Sequence, residues 1–405
     1  MITLGLDLGT SGVRATLADG SEHAATASAA LAPAARRDPA QLWAAVTAAL
    51  AGLPSLASVR ALAVDGTSGT ILPVDAAGEP AGPLSLYNDQ ADPADAAVVT
   101  QMMPASSAAG GITSPLARAL GLARAGAQHI LHEADWIAGR LLGRFDATDE
   151  NNALKTGYDS VAAAWPDWLP LNRALLPRVV PPGSPLGQVT AAIAAQFGLP
   201  PGTIVVAGTT DGCASFLATG ASAAGDAVTA LGSTLAIKLL SARPIFAPEH
   251  GIYSHRLLGQ WLAGGASNSG GAALARFFEP EQLAALSAMI DTTRPSGLDY
   301  YPLPRPGERF PTNDPNLQPR TAPRPASDAL FLQGLFEGIA AIEAQAYRRL
   351  QELGGQPIRR VLTVGGGAAN PAWTRLRAQA LGVPVLTPPG RDAAFGAALL
   401  AAHGA

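Results

Sequence analysis

The sequence predicts an α/β fold built from two similar modules. Three observations carry this expectation. Apolar strand-like runs alternate with helix-like runs along the whole chain, which argues for mixed layers and against separate all-α and all-β blocks. Two hairpins carry a Gly-Ser/Thr turn, one at Asp7-Leu8-Gly9-Thr10-Ser11-Gly12 and one at Ala230-Leu231-Gly232-Ser233-Thr234. A length of 405 residues also exceeds what one hydrophobic core usually organises, so two domains are expected.

Strand-like runs fall at residues 2–6, 13–17, 61–64, 70–74, 204–207, 227–230, 235–239 and 360–364. Each is rich in Val, Ile, Leu or Ala and bounded by Gly, Asp, Ser or Thr. Helix-like runs fall at residues 39–50, 129–142, 189–197, 328–350 and 373–380. The Gly66–Gly69 turn reads either as a plain hairpin turn joining 61–64 to 70–74 or as a turn whose Ser68 hydroxyl reaches a ligand. The stretch from residue 302 to 325, rich in Pro, Arg and Asn, reads as an extended surface segment. The module boundary is expected near residues 218–226.

Composition excludes several classes. Hydrophobic residues make up 48% and charged residues 14%, a globular composition with ample core. A net charge of −4 argues against a nucleic-acid partner. The single cysteine, Cys213, excludes a disulfide framework and reads as a small buried residue. No uninterrupted apolar run is long enough to span a bilayer. Asp7 interrupts the first apolar run, which has no basic leader, so a signal peptide is not expected and a cytosolic enzyme is. His129 and His132, beside Glu133, read as a surface cluster and not as a metal site.

Three Gly-rich turns carry chemistry. At the first, Asp7 stands where a strand ends and the Gly9–Gly12 turn begins. Backbone N–H groups and hydroxyls hold phosphate, and a nearby carboxylate holds the accompanying Mg²⁺. An ordinary hairpin with a polar turn uses the same residues. At the second, Asp211 follows the strand 204–207 through Gly208-Thr209-Thr210 and opens a helix-like stretch. An acid there serves as a general base or as a helix cap. At the third, a strand runs into Gly365-Gly366-Gly367-Ala368-Ala369-Asn370. No stretch matches the G-x-x-x-x-G-K-[ST] phosphate loop, and the third run lacks the last glycine of the dinucleotide fingerprint.

Taken in order, D-L-G-T-S-G at 7–12, D-G-T-S-G-T at 65–70, G-T-T-D-G-C-A-S at 208–215, L-G-S-T at 231–234 and G-G-G-A-A-N at 365–370 resemble the FGGY carbohydrate kinases of the actin-like ATPase superfamily. Within that family the chain looks closest to the short D-ribulose (xylulose-type) kinases of cyanobacteria and plants. Segments supporting this include Asn151–Lys155 and Gly264–Asn268. Two segments depart from the family pattern. Tyr87-Asn88-Asp89-Gln90-Ala91-Asp92 replaces the Trp-x-Asp-x-Arg-type stretch of xylulokinases, and 113–120 carries Arg118 where the family has Lys.

The resemblance implies two actin-like (ribonuclease H-like) domains with an interdomain cleft. Residues 1–218 plus 392–405 would bind sugar, and residues 219–391 would bind nucleotide. It implies ATP-dependent phosphorylation of a ketopentose, D-ribulose to D-ribulose 5-phosphate first and D-xylulose second. ATP and Mg²⁺ would be required, with no nucleic-acid or membrane partner, in a monomer or homodimer. Asp211 would be the base and Asp7 the Mg²⁺ ligand. Thr10, Ser11 and Gly12 would touch the γ-phosphate, and Gly232, Ser233 and Thr234 the β-phosphate side. Gly366, Gly367 and Asn370 would cradle adenosine, with Gly264, Gly265 and Asn268 on the same wall. The sugar would lie against Asp7, Ser11, Gly12, Ser68, Asn88 and Asp211, with Asp89 contributing. The same fold also serves chaperones, filament proteins and regulators, so an ATP-binding regulator or sugar sensor is the alternative. Intact Asp7 and Asp211 favour the kinase.

Overall fold

Alternating apolar runs become two sheets. In the computed structural model, which describes residues 1–390 and 392–405, the chain divides into two compact units. One comprises residues 1–218, 255–259 and 392–405, and the other comprises residues 219–254 and 260–390.

In the first unit, β1 (Ile2–Gly9), β2 (Gly12–Asp19) and β3 (Glu22–Ala30) form an antiparallel meander, and β4 (Val59–Gly66) pairs with β1 in parallel. β5 (Ile71–Val74) and β6 (His129–His132) form a separate antiparallel ladder, and β7 (Ala147–Asp149) pairs in parallel with β8 (Arg178–Val180). β9 (Pro185–Gln188) and β10 (Ile204–Thr210) rejoin the main sheet, whose order is β3-β2-β1-β4-β10-β9. Leu4, Leu6, Leu8, Leu62 and Val64 alternate into a core shared with the helix Pro39–Ala51.

On the other face lies the helix Ala393–His403. It packs so closely that a Cβ on Gly5 of β1 would stand 1.8 Å from the Ala394 carbonyl oxygen. A Cβ on Gly396 would stand 1.8 Å from the Ala214 carbonyl oxygen in the helix Asp211–Ala218. Glycine at both positions is therefore a packing requirement. Gly396→Ala is expected to destabilise by about 1–3 kcal/mol through overpacking. A urea titration checks this, and an unchanged midpoint would contradict the close approach.

In the second unit, β11 (Asp226–Leu231) and β12 (Leu235–Ser241) form the second hairpin. With β14 (Gln260–Ser267), β15 (Arg360–Val364) and β16 (Val385–Leu386), they build a sheet of order β14-β12-β11-β15-β16, and β13 (Ser254–Leu257) leaves this unit after Ser254. The helix Asp328–Glu352, capped by Ser327 at Leu330 N, covers it with Phe331, Leu335, Ile339 and Ile342. Glu343 in that helix and Arg377 in the helix Pro371–Leu381 form a fully buried two-point ion pair at 2.6 and 2.7 Å. Thr229 donates to Glu343, and Arg377 donates to Thr363, so the pair ties both helices to the adjacent strands β11 and β15.

A second ion pair clamps those same strands. Asp226 accepts from Arg360 at 2.8 and 2.9 Å. Burial works against its charge, but Arg360 and the N–H groups of Ser222 and Ala223 outweigh burial and hold the carboxyl at about 2. That lies below the ~3.9 of an unfolded aspartate, so the stabilisation is complete above about pH 4 and fades as pH falls toward 2. Asp226→Asn is expected to cost about 2 kcal/mol at pH 7. The gap between the two proteins' urea midpoints should then narrow from pH 5 to pH 3. A gap that is constant with pH would contradict this reading.

Four local expectations are corrected. Residues 61–64 and 70–74 are not hairpin partners: β4 pairs with β1 and β10, whereas β5 pairs with β6. Residues 129–142 are not one helix. His129–His132 is recruited as β6, and the helix Glu133–Leu142 begins where the Asp135 carboxylate accepts from His132 N. His132 and Glu133 are not on the surface. His132 is buried, with its ring nitrogens on Asp135 and Thr156, and Glu133 is 1% exposed. Residues 302–325 are not simply surface: Phe310 is fully buried, and buried Glu308 accepts from Ser267 Oγ at 2.6 Å and Asn268 N at 2.8 Å. Cys213 is buried, as expected.

Candidate active site

Three adjacent parallel strands of the first unit, β1, β4 and β10, end side by side, and an acid stands at each end. Asp7 on β1 is in register with Asp65 on β4, and Asp65 is in register with Thr209 on β10. Asp211 follows β10 directly and opens the helix Asp211–Ala218. The carboxyl ends of parallel strands are where open α/β sheets bind ligands, because the chain turns away there and leaves backbone groups free.

The charges are unbalanced. Asp7, Asp65, Asp211 and Asp392 act on one another. The cation beside them is Arg14, 3.7 Å from Asp7 and 3.3 Å from Asp392. Asp65 is fully buried, and among the described residues neither of its oxygens has a hydrogen-bond partner. Burial and the charges of Asp7 and Asp211 push Asp65 well above the usual carboxylate range. Burial also raises Asp7, against the opposing effects of Asp65 and Arg14.

This donor set suits a hard divalent cation. Mg²⁺ is typically held by one or two carboxylates, with water and substrate phosphates completing its shell. Among the described residues, no group of three or more His, Cys, Asp or Glu is placed to hold a metal ion.

Beside Asp7, the Gly9–Gly12 turn leaves Thr10 and Ser11 exposed. Gly12 has a φ of +156°, and a Cβ there would stand 2.3 Å from the Ala29 carbonyl oxygen, so only glycine closes this turn against β3. The Gly66–Gly69 turn is braced from within. Thr67 N donates to Glu133 at 2.8 Å, Thr67 Oγ1 donates to the Leu8 carbonyl, and Arg36 neutralises Glu133 at 2.5 Å. Ser68 Oγ, at the turn's centre, has no hydrogen-bond partner among the described residues. Arg118 supports the turn by donating to the Gly69 carbonyl and to Ser85, and burial lowers its guanidinium to about 10.

Asn88 is exposed next to Asp89. Asp89 itself is taken up by Arg37, with two bonds of 2.6 Å, and by Leu86 N. Its charge braces the loop.

The second unit holds a cavity of about 700 Å³. Its lining includes Gly232, Ser233, Gly366, Gly367 and Asn370, drawn from the turns after β11 and β15, with Phe336 and Trp373 behind them. Those two rings stack at 4.5 Å, nearly parallel. Asn370 caps the helix Pro371–Leu381 by accepting from Trp373 N. Gly264, Gly265 and Asn268 are not in this lining, and their conformations serve packing. A Cβ on Gly264 or Gly265 would collide with Ile237 O or Phe310, and Asn268 bonds to Glu308 and Gly307. Thr234 also lies outside the lining.

Sequence reading passed over Asp65, Arg14 and the Arg36–Glu133 brace. For Asp65 the signal was present: the run 61–64 reaches an acid and then Gly-Thr-Ser-Gly, as the run 2–6 does.

Two α/β units with acids at parallel strand ends and Gly-Ser/Thr turns define a phosphate-handling protein of the actin-like class. The chain belongs to the FGGY family of carbohydrate kinases, whose C-terminal domain is matched over residues 199–405. It is 29% identical over 305 residues to the autoinducer-2 kinase of Yersinia pestis (strain Pestoides F), a match covering 67% of this chain and 56% of that protein. The chain thus spans little more than half the length of the curated relatives it matches. Among solved structures it is similar to a xyloylose kinase from Brucella ovis, with 26% identity, a TM-score of 0.85, and coverage of 100% of this chain and 90% of that one. It is also similar to the xylulose kinase of Rhodospirillum rubrum, at 24% identity and a TM-score of 0.83 with the same coverage. That second likeness speaks for the fold. No helix among the described residues is long and apolar enough to cross a membrane.

Proposed function

We propose that the protein transfers the γ-phosphoryl group of ATP to a terminal hydroxyl of a ketopentose, with D-ribulose the preferred acceptor and D-xylulose the next. The observation that carries this is the row of acids at the ends of β1, β4 and β10, set beside a Gly-Thr-Ser turn. Family membership supports the reaction class.

A sugar hydroxyl is a poor nucleophile until a base takes its proton. Asp211 is that base, being the acid that opens a helix directly after a parallel strand. The hydroxyl oxygen bonds to the γ-phosphorus as the bond to the β–γ bridging oxygen breaks, ADP leaves, and the proton passes to Asp211. Asp7 holds the cation that accompanies the phosphates, which supplies charge neutralisation when bound. The N–H groups and hydroxyls of Thr10, Ser11 and Gly12 receive the γ-phosphate, and Gly232 and Ser233 receive the β-phosphate side. The base and ribose occupy the cavity behind Gly366, Gly367 and Asn370. Ser68, whose hydroxyl lacks a partner among the described residues, and exposed Asn88 are placed on the sugar.

The test is ADP release with D-ribulose, D-xylulose, L-ribulose, glycerol, the autoinducer-2 signal and no sugar. D-Ribulose is expected to give the highest kcat/KM. Preference for glycerol or an aldose would remove the substrate assignment and leave the kinase. Release independent of any sugar would point to the regulator class.

A further inference from the structure

Of the four acids that act on one another in the first unit, three have a partner. Asp7 lies 3.7 Å from Arg14. Asp211 Oδ1 accepts from Gly212 N at 2.6 Å. Asp392 lies 3.3 Å from Arg14 and, as cap of the helix Ala393–His403, accepts from Phe395 N at 2.9 Å. Asp65 is the exception. It is fully buried, and neither of its oxygens has a hydrogen-bond partner among the described residues. The group is unsatisfied in either protonation state, since a carboxylate would lack a donor and a carboxyl would lack an acceptor. An unpaired buried polar group opposes folding, and an unpaired buried charge opposes it more.

The backbone aims this group at the cation site. Asp7 and Asp65 are register partners on neighbouring parallel strands, whose spacing is about 4.8 Å. Side chains alternate along a strand, so residues two apart share a face. On β1, Thr3 donates to the Ala398 carbonyl and Gly5 abuts Ala394. On β4, Ala61 and Ala63 pack with Ala397 and Ala401. Asp7 and Asp65 therefore leave the same face of the sheet, toward the helix Ala393–His403, and at the same level. The Asp7 side chain keeps 13% exposure, which gives the pair an edge on solvent. Two carboxylates so placed match the protein's share of a Mg²⁺ shell, in which water and substrate phosphates supply the rest.

We infer that Asp65 is a second carboxylate of the cation site, completing with Asp7 the protein's part of the metal shell. The fold supplies Asp65 with no counter-charge of its own, because Arg14 is shared by Asp7 and Asp392. A bound divalent cation supplies one. A group of this kind lowers the stability of the metal-free protein and is kept for what it binds. The inference rests on the proposed cation role of Asp7. It concerns a different residue, so the two can fail separately.

The test is titration of the full chain with Mn²⁺, with and without ADP, followed by electron paramagnetic resonance. Wild type is compared with Asp7→Asn, Asp65→Asn and Asp65→Ala. Both Asp65 variants are expected to weaken Mn²⁺ binding by at least about tenfold, the lower end of what even an outer-shell partner contributes. Metal-free Asp65→Ala is expected to unfold at or above the wild-type Tm, because the lost carboxyl makes no hydrogen bond. Affinity unchanged in both Asp65 variants but lost in Asp7→Asn would overturn the inference and leave the cation on Asp7. A metal-free Tm well below wild type would make Asp65 a structural residue and would also overturn it. Absence of Mn²⁺ binding by wild type would overturn the cation role of Asp7, and this inference with it.

Discussion

Asp211→Asn is expected to lower sugar-dependent kcat by about 10²–10⁴-fold, the usual contribution of a general base. Asparagine keeps the shape of the side chain and its place at the start of the helix Asp211–Ala218. It does not accept a proton from the sugar. The KM for ATP should change little, because the cavity proposed for the base and ribose lies in the second unit. Loss confined to kcat is the mark of an interaction made only in the transition state. Steady-state kinetics on both proteins decide the matter. A variant keeping more than about a tenth of wild-type kcat would assign the base to another group.

Asp7→Asn is expected to lower turnover by at least about 10²-fold, since removing one electrostatic contact to a developing phosphoryl charge costs about 10²–10³. A weaker dependence on Mg²⁺ should accompany the loss, seen as a shift of the Mg²⁺ titration to higher concentration. Folding should not suffer. Burial and the charges of Asp211 and Asp392 work against the charge of Asp7, and outweigh the attraction of Arg14, so removing that charge should not destabilise the fold. Thermal unfolding should show a Tm equal to or above wild type. A large drop in Tm together with the loss of activity would make Asp7 a structural residue.

These two acids were legible in the sequence because each ends an apolar run at a turn rich in Gly and Thr. The strand core was legible for the same reason, since period and composition mark β1, β2, β4, β10, β11, β12 and β15 locally. What stayed hidden depends on distant partners. The helix Ala393–His403 is alanine-rich and buried nearly all round, so it shows no apolar stripe. Residues 129–132 look helical alone and become a strand because Ile71–Val74 offers a partner. Asp65 resembles any polar turn residue until register sets it against Asp7. Asp89 resembles an unpaired surface acid until Arg37 is seen to bond both its oxygens. Gly264 and Gly265 look like a nucleotide wall, yet a neighbouring strand and Phe310 account for their lack of side chains.

The glycines illustrate how one signal has two origins. Gly12 is required where the first hairpin turn closes against β3, whereas Gly5 and Gly396 are required where the helix Ala393–His403 meets the backbone of β1 and of the helix Asp211–Ala218. Sequence alone does not separate the two, because both appear as a small residue beside apolar neighbours.

The central claim is that a sugar hydroxyl, and not water, receives the phosphoryl group. The most direct measurement is ³¹P and ¹³C NMR of the products formed from ATP and D-ribulose with Mg²⁺. The account predicts one new phosphomonoester whose phosphorus couples to the terminal C5 of the sugar, appearing in step with ADP. Inorganic phosphate appearing in step with ADP, with the sugar recovered unchanged, would contradict it.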